Sequence, residues 1–266
     1  MLHLLRIEWM KVKNYRTFWI LSILYLISIY GLNFIVYRFQ QNLYEKQQTK
    51  GIANLIVGNP PYSFPTVWQM TSFMSSFLLI MPALMLIISI TNEYSFKTHR
   101  QNIIDGWSRT QFISVKLVLG VIISIVSTIM VFITAYSFGL QFGGIPFSLD
   151  KSYYLVYYFL QALSYCGAAI LISVLLKRSG IAIGVFFLYS TVFENVAAGL
   201  LNKYANYSGR YLPIESADVL IPLPAFKQVQ KQFFTEPNYT YILITVIIYL
   251  AIYVIISKWR YEKSDL

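Results

Sequence analysis

The chain has 266 residues, 57% of them hydrophobic and only 12% charged, whereas an ordinary soluble domain is about a quarter charged. A single soluble core of this size cannot hide so much apolar surface, so the composition excludes a soluble globular domain and points to lipid as the solvent. In a soluble protein the formal net charge of +10 would suggest nucleic acid. Here the basic residues stand at the ends of apolar runs, so the charge points to topology control and contact with anionic membrane lipids, and no nucleic acid is expected.

The first sixteen residues, MLHLLRIEWMKVKNYR, place Leu2, Leu5, Trp9 and Val12 at helical spacing, with Arg6, Lys11, Lys13 and Arg16 among them. This is the pattern of a short helix lying in the membrane interface. A spanning helix needs about 20 predominantly apolar residues. The first such run is 18–36, between Arg16 and Arg38, and it is too long for the apolar core of a signal peptide. The second is 67–90, with Pro82 inside it, which membrane helices tolerate when neighbours satisfy the freed carbonyl. Four more follow at 117–138, 153–176, 180–201 and 239–257, the fourth and fifth joined only by Lys177-Arg178-Ser179. The expected fold is therefore an all-α integral membrane protein of six spans in a single domain, 1–266.

With the N-terminus inside, the N-terminal segment, the 91–116 loop, the 177–179 link and the tail after Ser257 share one side and hold 13 of the 21 basic residues. The excess favours both termini in the cytoplasm, and a bacterial inner membrane is the expected location. On the other side, 38–66 contains the helix-stopping Asn59-Pro60-Pro61. The 202–238 segment carries Leu212-Pro213-Ile214 and Leu220-Ile221-Pro222-Leu223-Pro224, apolar pieces too short to span and better suited to re-entrant or interfacial packing. Asn206-Tyr207-Ser208 and Asn238-Tyr239-Thr240 match the glycosylation sequon, a pattern short enough to occur by chance.

The loop 92–116, NEYSFKTHRQNIIDGWSRTQFISVK, is too long and polar for a simple turn. Ile103, Ile104, Trp107 and Phe112 give it an apolar side, with Glu93, Lys97, Arg100, Asp105 and Arg109 elsewhere. Asp105-Gly106 is a break, and Ser108 suits the cap of a helix starting after it. Two short helical pieces around a turn are expected, serving either as an interfacial connector or as a docking surface. Trp107 and Ile104 would then be apolar anchors, with Arg100 and Arg109 as a charged rim.

Within the spans, Glu194 is the acid placed well inside an apolar run; it must face protein or a wet cavity. It is a candidate for the translocation path, or for a structural hydrogen bond to Tyr189, Asn195 or a neighbouring helix. Gly180 and Gly184 form a GxxxG pair and Gly167-Ala168-Ala169 a small-residue patch, both suited to close helix approach, with packing inside one subunit as the first expectation. Cys166, the single cysteine, lies in an apolar run and excludes an intrachain disulfide.

This layout resembles the permease subunits of type-2 ABC exporters. Such subunits have six spans, an amphipathic elbow helix before the first, a coupling helix between the second and third, and short re-entrant helices between the fifth and sixth. At the sequence level the likeness lies in the 92–116 loop, where Glu93, Thr98, Ser108-Arg109 and Lys116 stand in the family's order. The resemblance implies a dimeric substrate path and docking of a separate ATPase on Glu93, Thr98, Arg100, Ile104, Trp107, Ser108 and Arg109. The chain contains no GxxxxGK[ST] phosphate loop, so no cofactor is expected in it, and ATP and Mg are expected on the partner ATPase. The second permease subunit would be a copy or a relative of this chain.

Catalysis finds little support. His3 and His99 are the only histidines, no HExxH motif exists, and no span carries a base for a serine nucleophile. A channel or secondary transporter, or a membrane scaffold for an ATPase, are the remaining alternatives, although the corresponding helix breaks of two repeated halves are absent.

Overall fold

The computed structural model describes residues 2–45, 62–104, 106–141, 146–224 and 237–263, and among these the chain is helical throughout, with no strand. Helix α1 (Leu2–Lys13) turns at Asn14 into α2 (Arg16–Glu45). Then come α3 (Val67–Ser76), α4 (Ile80–Ser95), the seven-residue α5 (Thr98–Ile104), α6 (Arg109–Gln141) and α7 (Tyr153–Leu176). Helix α8 (Ser179–Leu188) passes through a π-helical turn (Tyr189–Phe193) into α9 (Glu194–Tyr204). A 3-10 turn (Ser208–Tyr211) and the short α10 (Glu215–Asp218) precede α11 (Tyr239–Glu262).

Among the described residues five helices are long and apolar enough to cross a membrane: Arg16–Asn42, Arg109–Gln141, Tyr153–Leu176, Ser179–Tyr204 and Tyr239–Glu262. This makes the chain a multi-pass membrane protein in character. The expected second span is not one straight helix. α3 and α4 meet at a 44° bend, and they give a sixth crossing if they form one broken span. The cause is Pro82, which cannot donate to the Leu78 carbonyl and whose ring crowds it. The chain answers with tighter i→i+3 bonds, Leu79 N to Ser76 O (3.0 Å) and Met81 N to Leu78 O (3.0 Å), before the α-helical pattern resumes.

α7 sits in the middle of the bundle, packed against α4, α6 and α11. Its Tyr158 hydroxyl lies 3.0 Å from that of Tyr25 on α2. The buried Asn33 of α2 donates to Ser75 Oγ (3.1 Å) and accepts from Tyr62 OH (2.9 Å), which fastens α2 to α3 without leaving the amide unsatisfied.

Several expectations change in detail. The third span was expected to start near Leu117, after a second short helical piece of the loop. That piece is instead the first two turns of α6, continuous from Arg109. A Cβ added at Gly180 or Gly184 would meet no neighbouring atom within 4 Å, so among the described residues nothing packs closely on the GxxxG face. Gly167 is packed, against Tyr253, and Gly139 against Phe64. Asn238 has a local role, its Oδ1 accepting from Thr240 N (3.1 Å) as the N-cap of α11. Asn59-Pro60-Pro61 and Asp105 lie outside the described residues.

Contacts gather four segments at one end of the bundle. Lys11 of α1 reaches Glu93 at the end of α4 (3.4 Å). Lys177 in the α7–α8 link lies over Tyr94 (5.6 Å), and Arg109 Nη1 donates to the Glu262 carbonyl of α11 (2.5 Å). The opposite end is tied by Trp68 Nε1 donating to Ser148 O (2.9 Å) and Gln69 Nε2 to Pro222 O (2.6 Å).

Candidate functional site

The first end carries a buried ion cluster. Lys116, at the end of the second turn of α6 and just before its long apolar run, is fully shielded from solvent. Its ammonium donates to Glu8 Oε2 of α1 and to Glu93 Oε1 of α4. Lys11 closes the group, 2.9 Å from Glu8 Oε1 and 3.4 Å from Glu93 Oε2. Two carboxylates and two ammoniums thus make a neutral set, as burial demands, because an unpaired charge here would bear an uncompensated desolvation penalty. Burial alone would push the Glu8 carboxyl up. The Lys116 and Lys11 charges and their hydrogen bonds outweigh burial and hold it below the ordinary glutamate value.

Glu93 also organises α5. Its carbonyl lies 3.0 Å from His99 Nδ1 and accepts from Thr98 Oγ1 (3.5 Å), while Asn102 Nδ2 donates to its Oε2 (3.4 Å). His99 and Asn102, one turn apart, therefore face inward. Lys97 (φ 57°) and Gly106 (φ 98°) take left-handed conformations on either side of α5, and Trp107 N donates to Asn102 O (3.0 Å) to finish the turn. Ser108 caps α6 in a full capping box: Gln111 N donates to Ser108 Oγ (3.1 Å) and Ser108 N to Gln111 Oε1 (2.9 Å).

The expected docking residues divide between two faces. Arg100 and Thr98 are exposed, and Ile104 is 77% exposed. Ser108 is a cap, and Arg109 is drawn to the end of α11. Trp107 does not stand out as an apolar anchor. It is 8% exposed, packed in a cluster with Phe112, Ile113 and Tyr261, with Lys11 5.7 Å above its ring. Glu93 is likewise an internal tie and not a surface contact. Phe96, at the end of α4 and 74% exposed, is a further exposed apolar side chain and was not foreseen.

Glu8 was missed as well. It stands at the spacing Leu5, Glu8, Val12, so an acid occupies the inward side of a basic amphipathic segment, and that misplacement was the available signal. On the same helix Trp9 turns outward instead, 53% exposed.

Glu194 lies away from this cluster. It is 4% exposed, and its Oε1 accepts from the backbone N–H groups of Ile214 (2.5 Å) and Glu215 (3.0 Å). The carboxylate thereby ties α9 to the start of α10. At the far end of α10, Asp218 accepts from Gln161 Nε2 (2.8 Å) and Tyr165 OH (3.2 Å) of α7. Ile214, Ala217, Leu220 and Ile221 are buried alongside. Burial raises the Asp218 carboxyl to about 7, helped by the Glu215 and Glu194 charges and opposed by the Gln161 and Tyr165 hydrogen bonds. Burial and the Glu194 charge raise Glu215 too. Among the described residues no group of three histidine, cysteine or acidic side chains could hold a metal ion.

A family model described as a protein of unknown function, DUF2705, matches residues 33–266. The chain belongs to that family. The matched stretch contains Glu93, Lys116, Glu194 and Asp218, and it begins after Glu8. No curated protein matches the sequence.

Proposed function

We propose that this chain is the membrane-spanning subunit of an ATP-driven exporter of the type-2 ABC kind, with a separate ATPase docked on the outer face of α5. The observation that carries this reading is the construction of the 93–116 segment. A seven-residue helix between two apolar membrane helices is fastened from behind by the Glu8–Lys11–Glu93–Lys116 cluster and presents Arg100 and Ile104 outward, with exposed Phe96 just before it. Such a piece suits a mechanical contact, because force applied to α5 passes to α1, α4 and α6 through packed and ionic links and not through a slack loop. Exposed apolar side chains beside Arg100 fit an apolar groove with an acidic rim on the partner.

On this reading α3 and α4 are one broken span, giving six crossings. α1 is the elbow helix, lying in the interface with Trp9 and Met10 toward lipid, and α5 is the coupling helix. The segment from the 3-10 turn through α10 is the re-entrant piece, supported by its depth. Gln161, which holds Asp218, lies eight residues into α7, about 12 Å along that helix. Both termini are cytoplasmic, in a bacterial inner membrane, and ATP and Mg sit on the ATPase. The open Gly180/Gly184 face supports a second permease subunit, a copy or a relative. Glu194 as a residue of the translocation path belongs to the same reading, its carboxylate held by the N–H groups of Ile214 and Glu215 and by Tyr189.

The test is co-purification from the native host followed by mass spectrometry, comparing the parent with Ile104→Glu and Arg100→Glu. An ATPase carrying GxxxxGK[ST] that accompanies the parent and is lost from folded variants supports the proposal. A folded parent that brings down no such ATPase contradicts it.

A further inference from the structure

The short α10 is held at both ends by carboxylates. Glu194 of α9 receives the N–H groups of Ile214 and Glu215 at its start, and Asp218 at its finish receives Gln161 and Tyr165 from α7. With Glu215 on the same four-residue helix, three carboxylates share one patch between α7, α9 and α11. The groups around them are Tyr165 on α7, Tyr189 on the π turn, and Tyr249 and Tyr253 on α11. Arg210, in the adjoining 3-10 turn, stacks on Tyr207 at 4.6 Å. Tyr249 OH also donates to Tyr211 O (3.0 Å), so the segment is gripped from three helices. The π turn stands immediately before Glu194 and sets the direction of that carboxylate. Such turns are local irregularities often found at working sites.

We propose that residues 212–221 form a proton-responsive latch, fastened into the bundle when its carboxylates share protons and loosened when all three ionise. The like charges cannot leave the patch while α10 is docked, and their repulsion is strong in a poorly solvated site. Release of the segment into water removes that repulsion.

The direction follows from Asp218. Docked, its carboxyl is raised to about 7; in a released segment it returns to about 3.9. Between those values the docked state holds the extra proton, so docking weakens about tenfold per unit as pH rises and levels off above about 7.

Hydrogen exchange of the full chain in lipid nanodiscs, corrected for intrinsic rates, tests this. Amides 214–219 should be roughly thirtyfold more protected at pH 5.5 than at pH 7.5, a range spanning about one and a half titrating units. Asp218→Asn, permanently neutral, should remove the pH dependence and keep the protection high. Should that variant fail to fold, infrared titration of the parent decides: a protonated carboxyl must ionise near pH 7 in step with the loss of protection. Protection that is level across the range, a slope retained in Asp218→Asn, or a carboxyl ionised throughout overturns the latch.

Discussion

Lys116 keeps its charge where no solvent reaches, because Glu8 and Glu93 come to it from α1 and α4. Lys116→Met would leave two buried carboxylates to share Lys11. Breaking a buried pair in this way costs about 3–5 kcal/mol, to be seen as a lower thermal midpoint in detergent. Glu8 responds to pH with the opposite sign to Asp218. Its carboxyl is held below the ordinary glutamate value, so its contribution is complete at neutral pH and is lost as pH falls through the folded value, below about 4.3. Hydrogen exchange in α1 should therefore rise on acidification while that of 214–219 falls. Trp107→Ala should act on stability, by about 3–5 kcal/mol for loss of a packed tryptophan, whereas Ile104→Glu should leave stability within about 0.5 kcal/mol of the parent, both read from thermal unfolding in detergent. The loop sequence did not reveal that difference. A seven-residue helix carries fewer than two turns of pattern, and here the inward face is polar, because Glu93 demands donors from His99 and Asn102. The apolar Ile104 is thereby turned outward.

Among the elements, the long apolar runs were legible. α7 has the expected bounds, 153–176, since nothing but hydropathy and length decides them. The cap at Ser108 was legible too, whereas the bend before Pro82 and the cap at Asn238 were not read there, although both are local chemistry of proline and asparagine. What escaped was any contact between distant segments: Glu8 with Lys116, Glu194 with Ile214, Asp218 with Gln161. Each joins residues whose separation in sequence holds no geometric information.

Two substitutions probe the elements directly. Glu194→Ala would remove the acceptor of the Ile214 and Glu215 N–H groups. Protection of amides 214 and 215 should then drop, at every pH. Gly209→Ala would place a Cβ 2.3 Å from the Ala198 carbonyl oxygen and 2.7 Å from its Cα. Backbone must move to admit it, at about 1–3 kcal/mol, measured as a lower thermal midpoint.

At the scale of the whole molecule, the bundle has two unlike ends. One gathers α1, α5, the α7–α8 link and the end of α11 around a neutral ion cluster. The other inserts α10 between α7 and α11 through carboxylates. The grouping of both termini at one end agrees with the partition of basic residues in the sequence. On the proposed function, α5 is the part of that end that meets another protein, a nucleotide-driven ATPase. A photo-crosslinking amino acid at Ile104, in cells of the native host, tests it most directly, with the same group at the bundle-surface residue Phe132 as control. The account predicts a crosslinked chain carrying GxxxxGK[ST] from position 104 and not from 132. A folded, membrane-inserted protein that captures no such chain from 104, or captures it equally from both positions, would contradict the account.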